Sequence, residues 1–126
     1  MTGVQTCALP ICPGVAVVTT PFSFFASVSA ILRCGAQPLL ADIDPATFNL
    51  SVAATKEVLR IHKGSKVKAI LPVHLYGQCV NWDAFTALKQ NHDLLLVEDA
   101  AQAFGATWNG TPAGALGDAE IGRAHV

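Results

Sequence analysis

Charge is scarce in this chain: Asp, Glu, Lys and Arg make up 13% of 126 residues, and the formal net charge is -1. No basic run or stripe is present to follow a phosphate backbone or an acidic bilayer, so neither nucleic acid nor a membrane is expected as a partner. Long apolar runs are missing too. Those present are interrupted by Arg33, His74 or Glu98, well short of the roughly 20 residues that a membrane-spanning helix needs. The first residues lack the charged and then apolar stretches of a secretory signal. Cysteine is rare, with 4 in all and no zinc or disulfide spacing, which fits a reducing compartment and a cytoplasmic location. Gly77, Gly105, Gly110, Gly114 and Gly117 form no G-x-G-x-x-G and no P-loop, so dinucleotide or nucleoside-triphosphate binding has no motif here. No metal-ligand spacing is present either.

The two ends are read as foreign. Residues 121–126, Ile-Gly-Arg-Ala-His-Val, are what ATC GGA AGA GCA CAC GTC encodes, a sequencing-library adapter. Residues 5–11, Gln-Thr-Cys-Ala-Leu-Pro-Ile, are encoded by CAG ACG TGT GCT CTT CCG ATC, most of which is the reverse complement of that string. Unrelated ends of one gene have no reason to be complementary. Residues 1–12 and 121–126 are therefore set aside as adapter-derived, with no expected part in a core, and 13–120 are read as a partial large domain. Cys34 and Cys79 are then the only native cysteines.

What the chain does have is apolar residues, 52% of the total. Short β-branched or leucine-rich runs at 15–18, 38–43, 68–73 and 94–98 read as strands. They are continuous rather than alternating, as in a parallel sheet covered on both faces. Helices are expected at 24–33 behind Ser23, at 52–61 behind Ser51 and at 82–89 behind Asn81, the last turning Trp82, Phe85 and Leu88 to one side. The strand–helix alternation is the βαβ rhythm, which predicts an α/β fold, a mostly parallel sheet with helices on both faces. The Ala- and Gly-rich stretch after Asp99 has no clear assignment.

In such sheets ligands bind beyond the carboxyl ends of the strands. Asp99 stands where the fourth strand stops, and a half-buried carboxylate there needs a donor or cation. It is open to two readings: an anion that holds a protonated ring nitrogen, or an N-cap for a helix starting at Ala100. Phe24 and Phe25 follow another strand end, where one ring could face a planar ligand or simply join the core. His74 and Tyr76 lie in a third strand-end loop, as acid, base or donor, or as local hydrogen-bonding residues.

Several blocks then match in order. Residues 20–27 (Thr-Pro-Phe-Ser-Phe-Phe-Ala-Ser), 42–49 (Asp-Ile-Asp-Pro-Ala-Thr-Phe-Asn), 71–78 (Leu-Pro-Val-His-Leu-Tyr-Gly-Gln), 97–106 (Val-Glu-Asp-Ala-Ala-Gln-Ala-Phe-Gly-Ala) and 114–118 (Gly-Ala-Leu-Gly-Asp) resemble the DegT/StrS-type nucleotide-sugar aminotransferases. The resemblance implies a fold-type-I pyridoxal 5'-phosphate domain. The activity implied is transfer of an amino group from an amino-acid donor, usually glutamate, to a keto group of a nucleotide-linked sugar. It implies that Asp99 pairs with the pyridine nitrogen, that Gln102 lies near the phenolic oxygen and that Phe25 stacks on the ring. His74 matches a recurrent residue to which the resemblance assigns no role. It also implies a homodimer of the full-length protein. Phe104 stands where many members have histidine. No lysine here sits in the context expected of the Schiff-base lysine, so the fragment is expected to be inactive. The missing segment also separates aminotransferases from related sugar dehydratases, which carry histidine in its place. A non-catalytic binding or regulatory domain of the same fold is the third reading.

Overall fold

The computed structural model describes residues 10–122; the rest of the two ends set aside above lies outside the described residues. The elements run β1 (Ala16–Thr19), α1 (Phe25–Arg33), β2 (Gln37–Leu40), α2 (Val52–Ile61), β3 (Val67–Ile70), α3 (Trp82–His92), β4 (Leu95–Asp99), β5 (Thr107–Trp108), β6 (Thr111–Pro112) and β7 (Ala119–Ile121). Five strands form one sheet in the order β2-β1-β3-β4-β7, with every neighbouring pair parallel.

The side-chain period of a strand divides the core in two. Ala16, Val18, Ile70 and Leu96 join Leu59 of α2 and Trp82, Phe85 and Leu88 of α3 in one cluster. Val15, Val17, Ala69, Leu71 and Val97 join Ile31 of α1 in the other. Helices thus cover both faces, and most residues of β1, β3 and β4 are apolar because their side chains meet one helical layer or the other; the polar exceptions are Thr19, the exposed Lys68, and Glu98 and Asp99 at the end of β4. β2 is an edge strand, and its Leu40 is half exposed. Pro38 fits there because an edge position leaves its missing N–H without consequence.

Local chemistry sets the helix ends. The Ser51 and Asn81 side chains accept from the N–H groups of Ala54 and Ala84, as N-caps do. Ser23 does not cap α1. The N-cap is Phe24 with no side-chain bond, and the Ser23 hydroxyl turns to Ser27 instead. The second strand is shorter than its apolar run. It stops at Leu40, and Ile43 bridges back to Leu50 across the Asp44–Thr47 turn.

The stretch beyond Asp99 holds a hairpin, β5–β6, turned by Asn109 and Gly110 at φ 48° and 85°. Trp108 Nε1 donates to Asp83 of α3 and ties the hairpin down. The chain then returns to the sheet as β7. Three described residues of the ends set aside above make contacts with the rest of the domain. Ile11 and Cys12 pack against the α1-side cluster, and Ile121 pairs with Asp99. The Ile121 contact is made by backbone, since its carbonyl accepts from Ala100 N–H at 3.0 Å. The open edge of β4 offers N–H and C=O groups to any extended segment that follows Asp118, whatever its side chains.

Phe85 is fully buried where α3 meets the sheet. Phe85→Ala is expected to cost about 3–5 kcal/mol, read as a lowered denaturant midpoint. A loss below about 1 kcal/mol would show that α3 does not hold the sheet.

Candidate functional site

From β1 the chain moves to one neighbour, β2, and then crosses back to the other, β3. That reversal opens a crevice beyond the carboxyl ends of β1 and β3, the usual place for a ligand in an open parallel sheet. β4 lies next to it and ends on Glu98 and Asp99, two consecutive carboxylates that strand geometry sends to opposite faces.

Glu98 points to the α2/α3 side and is fully buried. Its Oε1 accepts from the N–H groups of Leu116 and Gly117 at 2.7 and 2.5 Å. Its Oε2 accepts from Gly114 N–H at 2.7 Å and lies 3.0 Å from His74 Nε2. His74 is equally buried, and its Nδ1 accepts from Val80 N–H at 3.1 Å. That acceptor role puts the proton of the neutral ring on Nε2, facing the carboxylate. The predicted strand-end histidine is therefore a structural clasp and does not face the crevice. It ties the 74–80 loop to Glu98, and Glu98 in turn gathers residues 114–117. Gly117 has to be glycine, because a Cβ there would stand 2.7 Å from the Leu96 carbonyl.

Asp118 completes the same loop. Its carboxyl accepts from Leu96 N–H at 2.8 Å and pairs with Lys89. Burial alone would raise its pKa, but the hydrogen bonds from Lys89 and Leu96 and the Lys89 charge together hold it below the usual carboxylate range. This contribution to stability is present above the ordinary carboxylate pKa, about 3.9, and is lost as pH falls through the lowered value. Cys79 is not poised as a nucleophile, because burial, and then the Glu98 charge, raises its thiol pKa.

Asp99 points to the α1 side and is 7% exposed. Its Oδ2 accepts from Ser27 Oγ at 2.7 Å and its Oδ1 from Ala101 N–H at 3.2 Å. The residues after it form turns, so the helix it was to cap is absent. No cation pairs with it among the described residues. A buried carboxylate with two donors and spare lone pairs is suited to a cationic N–H donor from a ligand.

A cleft of about 350 Å3 is lined by Pro21, Phe22, Ser23, Phe24, Leu75, Tyr76 and Gln102; Asp99 is not in that lining but is linked to it through the hydroxyls of Ser23 and Ser27. Gln102 Oε1 accepts from Tyr76 N–H at 3.2 Å, which leaves its amide N–H groups free for a ligand oxygen. The Tyr76 backbone sits at φ 56°, and Asn49 anchors this turn by accepting from Leu75 N–H and donating to the Gln78 carbonyl. Phe25 opens α1 and is 67% exposed; Phe24, one residue earlier on extended backbone, is 74% exposed and lines the cleft. Two adjacent phenylalanines cannot be ranked by composition, and only the helix start separates their directions. Sequence reasoning also missed Glu98, Ser27 and Asn49. Glu98 carried the one usable signal, a charge inside an apolar strand.

Fold and site together define the class: an open parallel α/β domain with a buried anion and an aromatic-lined cleft at its switch point. The chain belongs to the DegT/DnrJ/EryC1/StrS aminotransferase family, which it matches over residues 3–122. It is 48% identical over 107 residues to the pleiotropic regulatory protein of Geobacillus stearothermophilus, covering 85% of this chain and 28% of that protein. It is 40% identical over 103 residues to the UDP-2-acetamido-2-deoxy-3-oxo-D-glucuronate aminotransferase of Pseudomonas aeruginosa, covering 82% and 28%. The crystal structure of a DegT DnrJ EryC1 StrS aminotransferase from Brucella abortus superimposes with a TM-score of 0.86 at 30% identity, covering 89% of this chain and 31% of that one. The chain thus spans under a third of the length of these relatives.

Glu98→Ala is expected to destabilise the domain by about 3–5 kcal/mol, because three N–H groups and His74 lose their acceptor together. Glu98→Gln should also be impaired, since its amide NH2 would face backbone donors. Denaturant unfolding of both variants checks this; wild-type stability for Glu98→Ala would contradict the clasp.

Proposed function

We propose that the chain is part of a cytoplasmic, pyridoxal 5'-phosphate-dependent aminotransferase, homodimeric at full length. It would move an amino group from an amino-acid donor, glutamate being expected, to a keto group of a nucleotide-linked sugar. Family membership and the name of the Pseudomonas relative support this reading. The observation that carries it is the Asp99 carboxylate, buried at the switch point and without a cationic partner among the described residues. The residues present fit the cofactor: an anion for a ring nitrogen, an amide for a ring oxygen and an aromatic wall.

When bound, pyridoxal phosphate supplies an electron sink, and the sink works only while its ring nitrogen stays protonated. Asp99 would hold that proton at the nitrogen through a charge-assisted hydrogen bond, strengthened by its shielding from water. Gln102 would donate its free amide N–H to the phenolic oxygen and fix the ring in its plane. The ring face falls to Phe24, because it lines the cleft that Gln102 also lines.

The Schiff-base lysine is not among these residues. Lys56 and Lys63 line a cleft with Val67 and Leu94 at the amino ends of β3 and β4. Lys66 lies in another beside Val15, and Lys89 pairs with Asp118. The chain as given should therefore show no glutamate-dependent amination of a keto sugar above buffer, since position alone does not replace the nucleophile.

One observation favours a second reading. The Geobacillus relative, at 48% identity, is named a regulatory protein. A regulatory domain of this fold would lack amination activity at full length, even with the cofactor bound.

In the enzyme completed to the length of its relatives, Asp99→Asn keeps size and turn-forming capacity but removes the charge. Turnover should fall by orders of magnitude with cofactor still bound; near-normal turnover would contradict the assignment. Phe24→Ala should weaken cofactor binding about tenfold, on the order of an aromatic contact plus lost burial. Phe25→Ala should leave binding nearly unchanged. Titration of the apoenzyme by absorbance separates the two, and the reverse ranking would return the stacking role to Phe25.

A further inference from the structure

Ser27 lies on the inner side of α1 and is 2% exposed. A buried hydroxyl on a helix has an easy partner in the carbonyl four residues earlier. Thr55 of α2 takes that option, donating to the Ser51 carbonyl at 2.8 Å. Ser27 does not. Its Oγ reaches across to β4 and donates to Asp99 Oδ2 at 2.7 Å. An ionised carboxylate only accepts, so the single Ser27 proton is committed there. The Ser27 oxygen can then only accept from Ser23 Oγ, 3.1 Å away, and Ser23 stands in the cleft wall. Two hydroxyls thus run in one direction from the cleft to the carboxylate. The other carboxylate oxygen, Oδ1, is held by Ala101 N–H. With one donor on each oxygen, rotation of the carboxylate about its last bond is blocked from both sides.

We propose that Ser27 is a positioning residue for the cofactor: it fixes the plane of the Asp99 carboxylate so that the remaining lone pairs face a ring N–H. This role rests on the reading of Asp99 given above. It acts through Asp99 and not through contact with the ligand.

The test is a double-mutant cycle in the completed enzyme, reading the Kd for pyridoxal phosphate from its absorption change on titration of apoprotein. Ser27→Ala should weaken binding about tenfold, the scale of one hydrogen bond to a charged group. Ser27→Thr keeps the hydroxyl and should stay within about threefold of wild type, a small part of that loss. In an Asp99→Asn background, Ser27→Ala should cost less than about twofold, because the charge it orients is gone. Wild-type affinity in Ser27→Ala would overturn the proposal. So would an equal loss in both backgrounds, which would mark a general packing role. A wild-type protein that binds no pyridoxal phosphate would overturn the reading of the site itself, and this role with it.

Discussion

Two carboxylates side by side at the end of β4 are the constraint on which the rest of this domain depends. Each is buried, and a buried carboxylate is tolerated only with donors around it. Glu98 is saturated by three backbone N–H groups and the His74 ring. To supply them, residues 114–117 must fold under the strand and the 74–80 loop must stay closed. Asp99, on the other face, receives two donors among the described residues. The asymmetry divides the labour: one acid organises the loops, and the other is left able to meet a ligand. A single register, with Val73 bridged to Asp99 and the Asp99 carbonyl accepting from His74 N–H, keeps the two in step.

The cleft side is unfinished. Phe24, Phe25, Tyr76 and Phe104 are 74, 67, 73 and 97% exposed, all on segments around the strand ends. Concentrated exposed aromatic surface of this kind marks a place that something else covers. The chain spans under a third of the length of these relatives, and in the proposed full-length enzyme further sequence would supply one cover. The proposed homodimer would add a second.

The parallel sheet and its two helical layers were legible because β1, β3 and β4 carry consecutive apolar residues (16–18, 69–70 and 95–97) in place of an alternating pattern, as a doubly covered sheet requires. Ser51 and Asn81 announced their helices by cap chemistry, and Trp82, Phe85 and Leu88 by spacing. Ser23 misled because its hydroxyl meets Ser27 and caps nothing, and the helix begins one residue later than expected, at Phe25. The Asn109-Gly110 pair suits two consecutive left-handed residues, but the hairpin went unassigned because its two-residue strands carry no periodicity. Ser27, Asn49 and the Glu98 clasp join residues far apart in sequence, and no local pattern reports such pairings.

The central claim is that Asp99 holds a proton on the cofactor's ring nitrogen. The most direct measurement is the nuclear magnetic resonance shift of an isotope-labelled ring nitrogen in pyridoxal phosphate bound to the completed enzyme at neutral pH. The account predicts the shift of a protonated pyridinium, moved toward the unprotonated value when Asp99 is asparagine. An unprotonated nitrogen in the wild-type enzyme, or one indifferent to that substitution, would contradict it.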